Sequence, residues 1–451
     1  MSQRFVIIGG DAAGMSAASK ARRVNPQLEI DVFEKGPWIS YGACGLPYYI
    51  QGKVKDITDL VARTPEEFSK KYNINVFLHH EVMEINVGER IIKVNCPDGM
   101  KTINFDNLLI STGALPVQPN IEGIKSPGVF TLRSMESARQ IRYYLDRFSP
   151  RSVLVIGGGY IGIEMLEVLH SLGLKVSLVE RLPHVLNSFG QEICETVEQH
   201  IRQFARLYLN ESVKKITQST NRQLLVKTDH KKIETDLVLI ATGVRPNIGL
   251  ANTAGIKLGE TGAIGTDQYG QTSEPHIYAA GDCAEVKHSV TGKADYIPLA
   301  LSANRNGRAI GSTVAGVAKK ISPAAGTAVL KAFQLEVART GIIIPENARK
   351  HHFDPVKVTI DSHTRAGYYP GAKPIKISIM ADSQTRQVLG ASMVGEEGVA
   401  KRIDTVATGL YAGLTISQLE NLDLAYAPPF GPSWDPVLIA ARVLSGRLSK
   451  K

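Results

Sequence analysis

Residues 153–180 carry the decisive stretch: Val153-Leu-Val-Ile-Gly157-Gly-Gly159-Tyr160-Ile-Gly162, a helical run through Leu172, then Lys175-Val-Ser-Leu-Val-Glu180. It reads as a strand, a glycine turn, a helix, a second strand and a terminal acid. Gly157, Gly159 and Gly162 fill every place of G-x-G-x-x-G. Such a unit suits a dinucleotide for physical reasons. Glycine permits the tight turn and the close approach of a pyrophosphate to the backbone. The helix N-terminus then offers unpaired N–H groups and partial positive charge. Glu180, 18 residues past Gly162, is placed to accept hydrogen bonds from ribose hydroxyls.

The same plan stands at the start of the chain. Phe5-Val-Ile-Ile-Gly9, Gly14, a small-residue helix to Val24 and Ile30-Asp-Val-Phe-Glu34 repeat it, with Glu34 20 residues past Gly14. One place differs, because Asp11 occupies the middle glycine position. Each unit later meets a matching strand, Asp106-Asn-Leu-Leu-Ile-Ser-Thr112-Gly113 and Asp236-Leu-Val-Leu-Ile-Ala-Thr242-Gly243. Two copies of one plan predict an α/β protein with two Rossmann-like nucleotide-binding domains. A third element, Ile277-Tyr-Ala-Ala-Gly281-Asp282, ends a short strand in Gly-Asp. It presents a carboxylate that suits the ribityl hydroxyls of a flavin. After about residue 324 the pattern changes. Val358–Ile360, Ile375–Met380 and Val388–Val394 read as antiparallel strands, with helices around Val399–Gly413 and Ser417–Leu422. This predicts a separate α+β domain.

Bulk properties agree. A chain of 451 residues exceeds one ordinary core and implies two or three domains. No apolar run is long enough to cross a membrane, and the chain enters its first strand without signal-peptide features, so the expected address is the cytoplasm. Four cysteines, Cys44, Cys96, Cys194 and Cys283, are too few and scattered for a disulfide scaffold, and none has zinc-ligand spacing. His79 and His80 would point to opposite faces of a strand and make no metal site. The net charge of +9 is spread along the chain, which argues against nucleic-acid binding but favours anionic cofactors and an anionic substrate.

Cys44 is flanked by Gly42, Gly45 and Pro47, as in a loop entering a helix, where partial positive charge would lower the thiol pKa. Cys194 and Cys283 suit inert buried positions. The chain resembles the pyridine nucleotide–disulfide oxidoreductases, in the single-cysteine branch that contains coenzyme A-disulfide reductases. Three motifs carry the resemblance: Ser40-Tyr-Gly-Ala-Cys44-Gly-Leu-Pro-Tyr-Tyr49, Tyr368-Tyr369-Pro370-Gly371 and Ala425-Tyr426-Ala427-Pro428-Pro429-Phe430. The resemblance implies an FAD domain from 1–120 plus 247–323, an NAD(P)H domain over 121–246, and a homodimerisation domain over 324–451. It implies Cys44 as the redox thiol, with Tyr368 and Tyr426 reaching it from the partner subunit. Flavin contacts would come from Gly9, Gly14, Glu34, Lys35, Val82, Thr112, Gly113, Gly281, Asp282 and Ala300. Pyridine nucleotide contacts would come from Gly157, Gly159, Tyr160, Gly162, Glu164, Glu180 and Gly243. Tyr160 is the ring that would cover the flavin until nicotinamide displaces it.

The missing second cysteine matters equally. Relatives with an internal disulfide use C-x4-C, but Tyr49 stands five residues after Cys44, and no C-terminal His-Glu pair follows. Cys44 therefore needs an external sulfur partner or a sulfenic acid cycle. Ser16, Lys20, Arg23 and Ser40 match coenzyme A contacts, whereas Ala43, Trp434 and Asn304 depart from them. Coenzyme A disulfide or a related small disulfide is the expected acceptor, with polysulfide or persulfide reduction as an alternative. An NADH oxidase or peroxidase is a further class, opposed by Ala12 where that branch has a histidine. A non-enzymatic redox-responsive protein is the last. Glu180 predicts NADH preference over NADPH, with Arg181 beside it softening the repulsion of a 2′-phosphate.

Overall fold

A computed structural model of the protein describes residues 3–219 and 223–449. Strand Arg4–Ile8 pairs in parallel with Glu29–Glu34 and Asn107–Ile110, and Asn75–Leu78 and Ile277–Ala279 extend these to a five-stranded sheet. The second unit repeats this order. Ser152–Ile156 lies between Lys175–Val179 and Leu237–Ile240, with Ala205–Tyr208 and Val129–Thr131 at the edges. Inner strands such as Asn107–Ile110 and Leu237–Ile240 are buried throughout, so they read as continuous apolar runs rather than alternations.

The duplication runs further than the glycine motifs suggest. Each unit carries a three-stranded antiparallel meander ahead of its Thr-Gly strand. The first is Glu81–Asn86, Ile91–Cys96 and Gly99–Asn104, and the second Val213–Gln218, Leu224–Thr228 and Lys232–Thr235. Val82, expected as a flavin contact through its backbone, is a buried strand residue there, paired with Val94.

The units are joined by a reciprocal crossover. Strands Ala114–Pro116 and Val244–Pro246 pair antiparallel. Thr112 Oγ1 donates to Asn247 O at 2.7 Å, and Thr242 Oγ1 donates to Val117 O at 2.8 Å. Each threonine thus fastens the strand that leaves the other unit.

The chain returns to the first unit through helix Ala300–Val314, which packs along Ala12–Val24. The approach is backbone to backbone, since a Cβ on Gly307 or Gly311 would run into the carbonyl oxygen of Ala13 or Ala17. Beyond it, five antiparallel strands lie in the order Ala328–Ala332, Leu335–Gly341, Val388–Gly395, Pro374–Asp382, Pro355–His363. Helices Val399–Ala412 and Pro436–Leu448 cover this sheet with apolar residues including Val406, Ile403, Val437 and Leu444. The expected α+β domain is present, and its predicted Ser417–Leu422 helix forms as Ile416–Glu420.

One expected placement differs. His79 and His80 lie past the end of strand Asn75–Leu78, with His79 at φ +59° and His80 Nδ1 2.6 Å from the Leu78 carbonyl. Among the described residues no group of three or more His, Cys, Asp or Glu could hold a metal ion, and no helix is long and apolar enough to cross a membrane.

Candidate active site

The two glycine turns are built alike. Gly9 and Gly157 take positive φ, +99° and +106°, so that the chain can leave its strand sharply. Gly14 and Gly162 press against the carbonyls of Gly9 and Gly157, where no Cβ fits. Each strand-end acid braces its own turn. Glu34 accepts from the N–H groups of Gly10 at 2.9 Å and Gly36 at 2.8 Å, while Glu180 accepts from Gly158 at 2.6 Å and Leu182 at 2.9 Å. A carboxylate has about four acceptor sites, so both retain capacity for a sugar hydroxyl.

Both turns fit an anionic nucleotide. Helices Ala12–Val24 and Tyr160–Ser171 begin with no side-chain cap and no acid in the first turn. Helices at Thr64, Ser134 and Thr415, by contrast, carry full capping boxes. Uncapped N-termini leave backbone donors for an anion. A Cβ on Gly159 or Gly243 would meet nothing within 4 Å, so these glycines border open space rather than protein.

From each turn a matching loop departs. Ser40 N donates to Gly10 O at 2.9 Å, and Leu186 N donates to Gly158 O at 2.8 Å. Ser40 and Leu186 both adopt φ +48°. Four residues on, the first loop reaches Cys44, in a short turn Ala43–Gly45 ahead of helix Leu46–Gln51. The second reaches Phe189 and Gly190 ahead of helix Gln191–Ile201. Phe189 is buried against Tyr160, with ring centroids 5.5 Å apart.

Helix Leu46–Gln51 packs on helix Tyr160–Ser171, bringing Cys44 of the first unit to Glu164 of the second. Cys44 is exposed, whereas Cys96, Cys194 and Cys283 are buried. Its thiol departs from the sequence expectation. The surrounding protein and the Glu164 carboxyl push its pKa up, and the opposing pull of Arg133 is smaller. The helix behind it has only six residues and offers little dipole. Glu164 itself is raised to about 7, by burial and then by Glu167.

The C-terminal domain closes this side. Lys331 pairs with Glu167 at 2.7 Å, Arg339 Nη1 donates to Ser188 O at 3.0 Å, and Lys357 pairs with Glu192 at 2.7 Å. These contacts hold the helix of Tyr160 and the loop of Phe189.

Asp282 follows strand Ile277–Ala279 through Gly281 at φ +81°, and its Oδ2 accepts from Arg133 Nη2 at 2.9 Å. The sequence reading missed Arg133; its only signal is a cation just ahead of the Ser134 cap. Thr112, Gly113 and Gly243 lie at the crossover, Lys35 is exposed beside Glu34, and Ala300 opens its helix.

A cavity of about 320 Å³ adjoins the first turn. Ser16, Arg23 and Ser40 line it, and Lys20 is not among its lining residues. Arg63, Phe68 and Arg308 also line it and were not foreseen; Arg308 is one helical turn beyond Asn304, whose Oδ1 accepts from Ser16 Oγ at 2.7 Å. Tyr368 and Tyr426 are brought together, hydroxyl to hydroxyl at 3.3 Å, and both are exposed, as are Phe430 and Trp434.

Residues 3–307 match the family described as Pyridine nucleotide-disulphide oxidoreductase, and 327–436 match its dimerisation domain. The chain belongs to the pyridine nucleotide-disulphide oxidoreductase family. Members of this family are flavin- and pyridine nucleotide-dependent, and the protein is an oxidoreductase. It is 40% identical over 445 residues to the NAD(P)H coenzyme A polysulfide/persulfide reductase of Pyrococcus horikoshii, covering 98% of this chain and 99% of that one. It is 31% identical over 439 residues to the Coenzyme A disulfide reductase of Staphylococcus haemolyticus, covering 96% and 98%. The solved NAD-dependent persulfide reductase from A. fulgidus superposes with a TM-score of 0.95 at 37% identity, covering 99% of this chain and 84% of that one. The expected family and three-part α/β architecture are therefore borne out.

Proposed function

We propose that this oxidoreductase reduces a sulfur–sulfur bond in a small coenzyme A-linked molecule, with Cys44 as its redox thiol. Residues 1–120 and 247–323 form the flavin domain in this reading, 121–246 the NAD(P)H domain, and 324–451 the homodimerising domain. FAD, when bound, would accept hydride from the reduced pyridine nucleotide and deliver an electron pair to sulfur. Net, one NAD(P)H and one proton convert R–S–S–R to NAD(P)⁺ and two R–SH. The observation that carries the reading is one exposed cysteine set where the two nucleotide units meet, on a loop whose Ser40 lines a cavity together with Arg23, Arg63 and Arg308.

In this cycle the Cys44 thiolate attacks the incoming disulfide, forming a mixed disulfide and expelling one thiolate. Tyr368 and Tyr426 of a second copy protonate the leaving sulfur, a role a phenol can fill. Their exposure beside Phe430 and Trp434 supports a face closed by that copy. Arginines in the cavity suit the phosphates of coenzyme A.

Mass measurement of the native protein before and after reductant tests the acceptor. Loss of a coenzyme A mass is expected. Loss of a sulfur atom would instead favour the second reading, persulfide or polysulfide reduction, which the 40% identity to the P. horikoshii enzyme supports. Cys44→Ser is expected to abolish disulfide reduction and leave FAD bound; full retained turnover would remove Cys44 from the cycle. Glu180 supports NADH as donor, with kcat/KM for NADPH well below that for NADH. Equal values would overturn the preference.

A further inference from the structure

Asp11 is where the first turn departs from the second. It stands at the N-cap of helix Ala12–Val24, in the place Gly159 holds in the other unit, yet its side chain does not cap its own helix. Its Oδ1 instead accepts from the backbone N–H of Tyr41 at 3.3 Å, three residues before Cys44. A carboxylate at the mouth of an anion-binding turn would repel a diphosphate. The surroundings relieve that conflict only in part. Glu34 faces Asp11 from the end of its strand, and Tyr41 and Cys44 face it from the thiol loop. Arg133, already paired with Asp282, is the nearby cation, and Arg308 of the packed helix lies towards the cavity. Burial, then Glu34, raise the Asp11 carboxyl to about 6, against the lowering effects of the Tyr41 N–H and Arg133.

We propose that Asp11 is a proton-linked clasp: a flavin diphosphate is held at the first turn together with one proton taken from solvent onto the Asp11 carboxylate. The added negative charge disfavours the ionised acid and so draws the proton. The resulting carboxylic acid donates through its new O–H to the anion, while its carbonyl oxygen keeps the Tyr41 N–H. One O–H bond forms, one unit of positive charge is taken up, and no electrons move. The clasp also ties occupancy of the turn to the position of the loop bearing Cys44. This inference rests on the first turn being the flavin site.

The test uses the full-length protein, with FAD as probe, in wild type and Asp11→Asn. FAD dissociation constants are measured by flavin fluorescence from about pH 5.5 to about pH 8.5. Above about pH 6 the wild-type constant should rise by up to about tenfold per pH unit, the limit for one proton. The Asn variant should stay flat, near the wild-type value at low pH. A slope shared by both proteins, or no slope in the wild type, overturns the clasp. Should the variant not fold, proton uptake by wild-type protein on adding FAD in weak buffer near pH 7 decides. Uptake approaching one proton per flavin supports it, and none overturns it. Failure to bind FAD at any pH would remove the flavin assignment, and the clasp with it.

Discussion

The two glycine turns are the same device put to different uses. In both, a strand-end acid grips the turn, the third glycine lies on the first, and a loop residue at φ +48° returns to hydrogen-bond the middle of the turn. The divergence lies in what the loop carries next. Four positions past Ser40 stands Cys44, and four past Leu186 stands Gly190, just after the buried ring of Phe189. One copy delivers a sulfur atom and the other an aromatic wall against Tyr160. A duplicated scaffold thereby positions two unlike groups, an exposed thiol and a buried ring, without any new fold.

Paired substitutions break this comparison most sharply. Valine at Gly14 or Gly162 would collide with the carbonyl of Gly9 or Gly157. Gly14→Val should yield colourless protein. Gly162→Val should stay yellow but be reduced by NADH about 5- to 150-fold more slowly, since such overpacking costs roughly 1–3 kcal/mol. Absorbance at the flavin band and stopped-flow reduction separate the two, and loss of flavin in both would deny that the turns serve separate nucleotides.

Asp11→Asn comes next. Burial, then Glu34, raise the Asp11 carboxyl from 3.8 to about 6. As pH rises through that window the unfolded chain loses this proton first, so the folded state loses stability and carries the full penalty above about 6. Removing the acid should stabilise the flavin-free protein at pH 7.5 by up to about 3 kcal/mol, with the gain fading towards pH 4. Urea unfolding at several pH values reads this, and a pH-independent difference would assign it to packing instead.

The smallest expected effect concerns Glu164, which the second unit presents to the thiol of the first. Ionised above about 7, it opposes formation of the Cys44 thiolate. Glu164→Gln should move the Cys44 titration to lower pH. The pH profile of alkylation by iodoacetamide measures it, and an unmoved profile would uncouple the two groups.

Much of this was legible in the chain. The glycines, strand-end acids and Thr-Gly strands announced the duplication because each answers a local backbone demand. The meanders were not, because strands such as Gly99–Asn104 are almost wholly exposed and lack a hydrophobic alternation. The thiol pKa differs from its expectation because a nearby helix start in the sequence suggests thiolate, whereas the fold buries the sulfur and then sets Glu164, 120 residues away, beside it. Arg63 and Arg308, which packing brings to the cavity, and Arg133, which it brings to Asp282, escaped for the same reason: their partners lie far away in sequence.

The crossover between Thr112 and Thr242 has a mechanical consequence. A single linker lets a module swing and drift, but two adjacent, hydrogen-bonded strands act as a pinned hinge. Helix Leu46–Gln51, packed on helix Tyr160–Ser171, adds a second tie away from these strands, so the modules are braced at two places and Cys44 stays in register with Glu164.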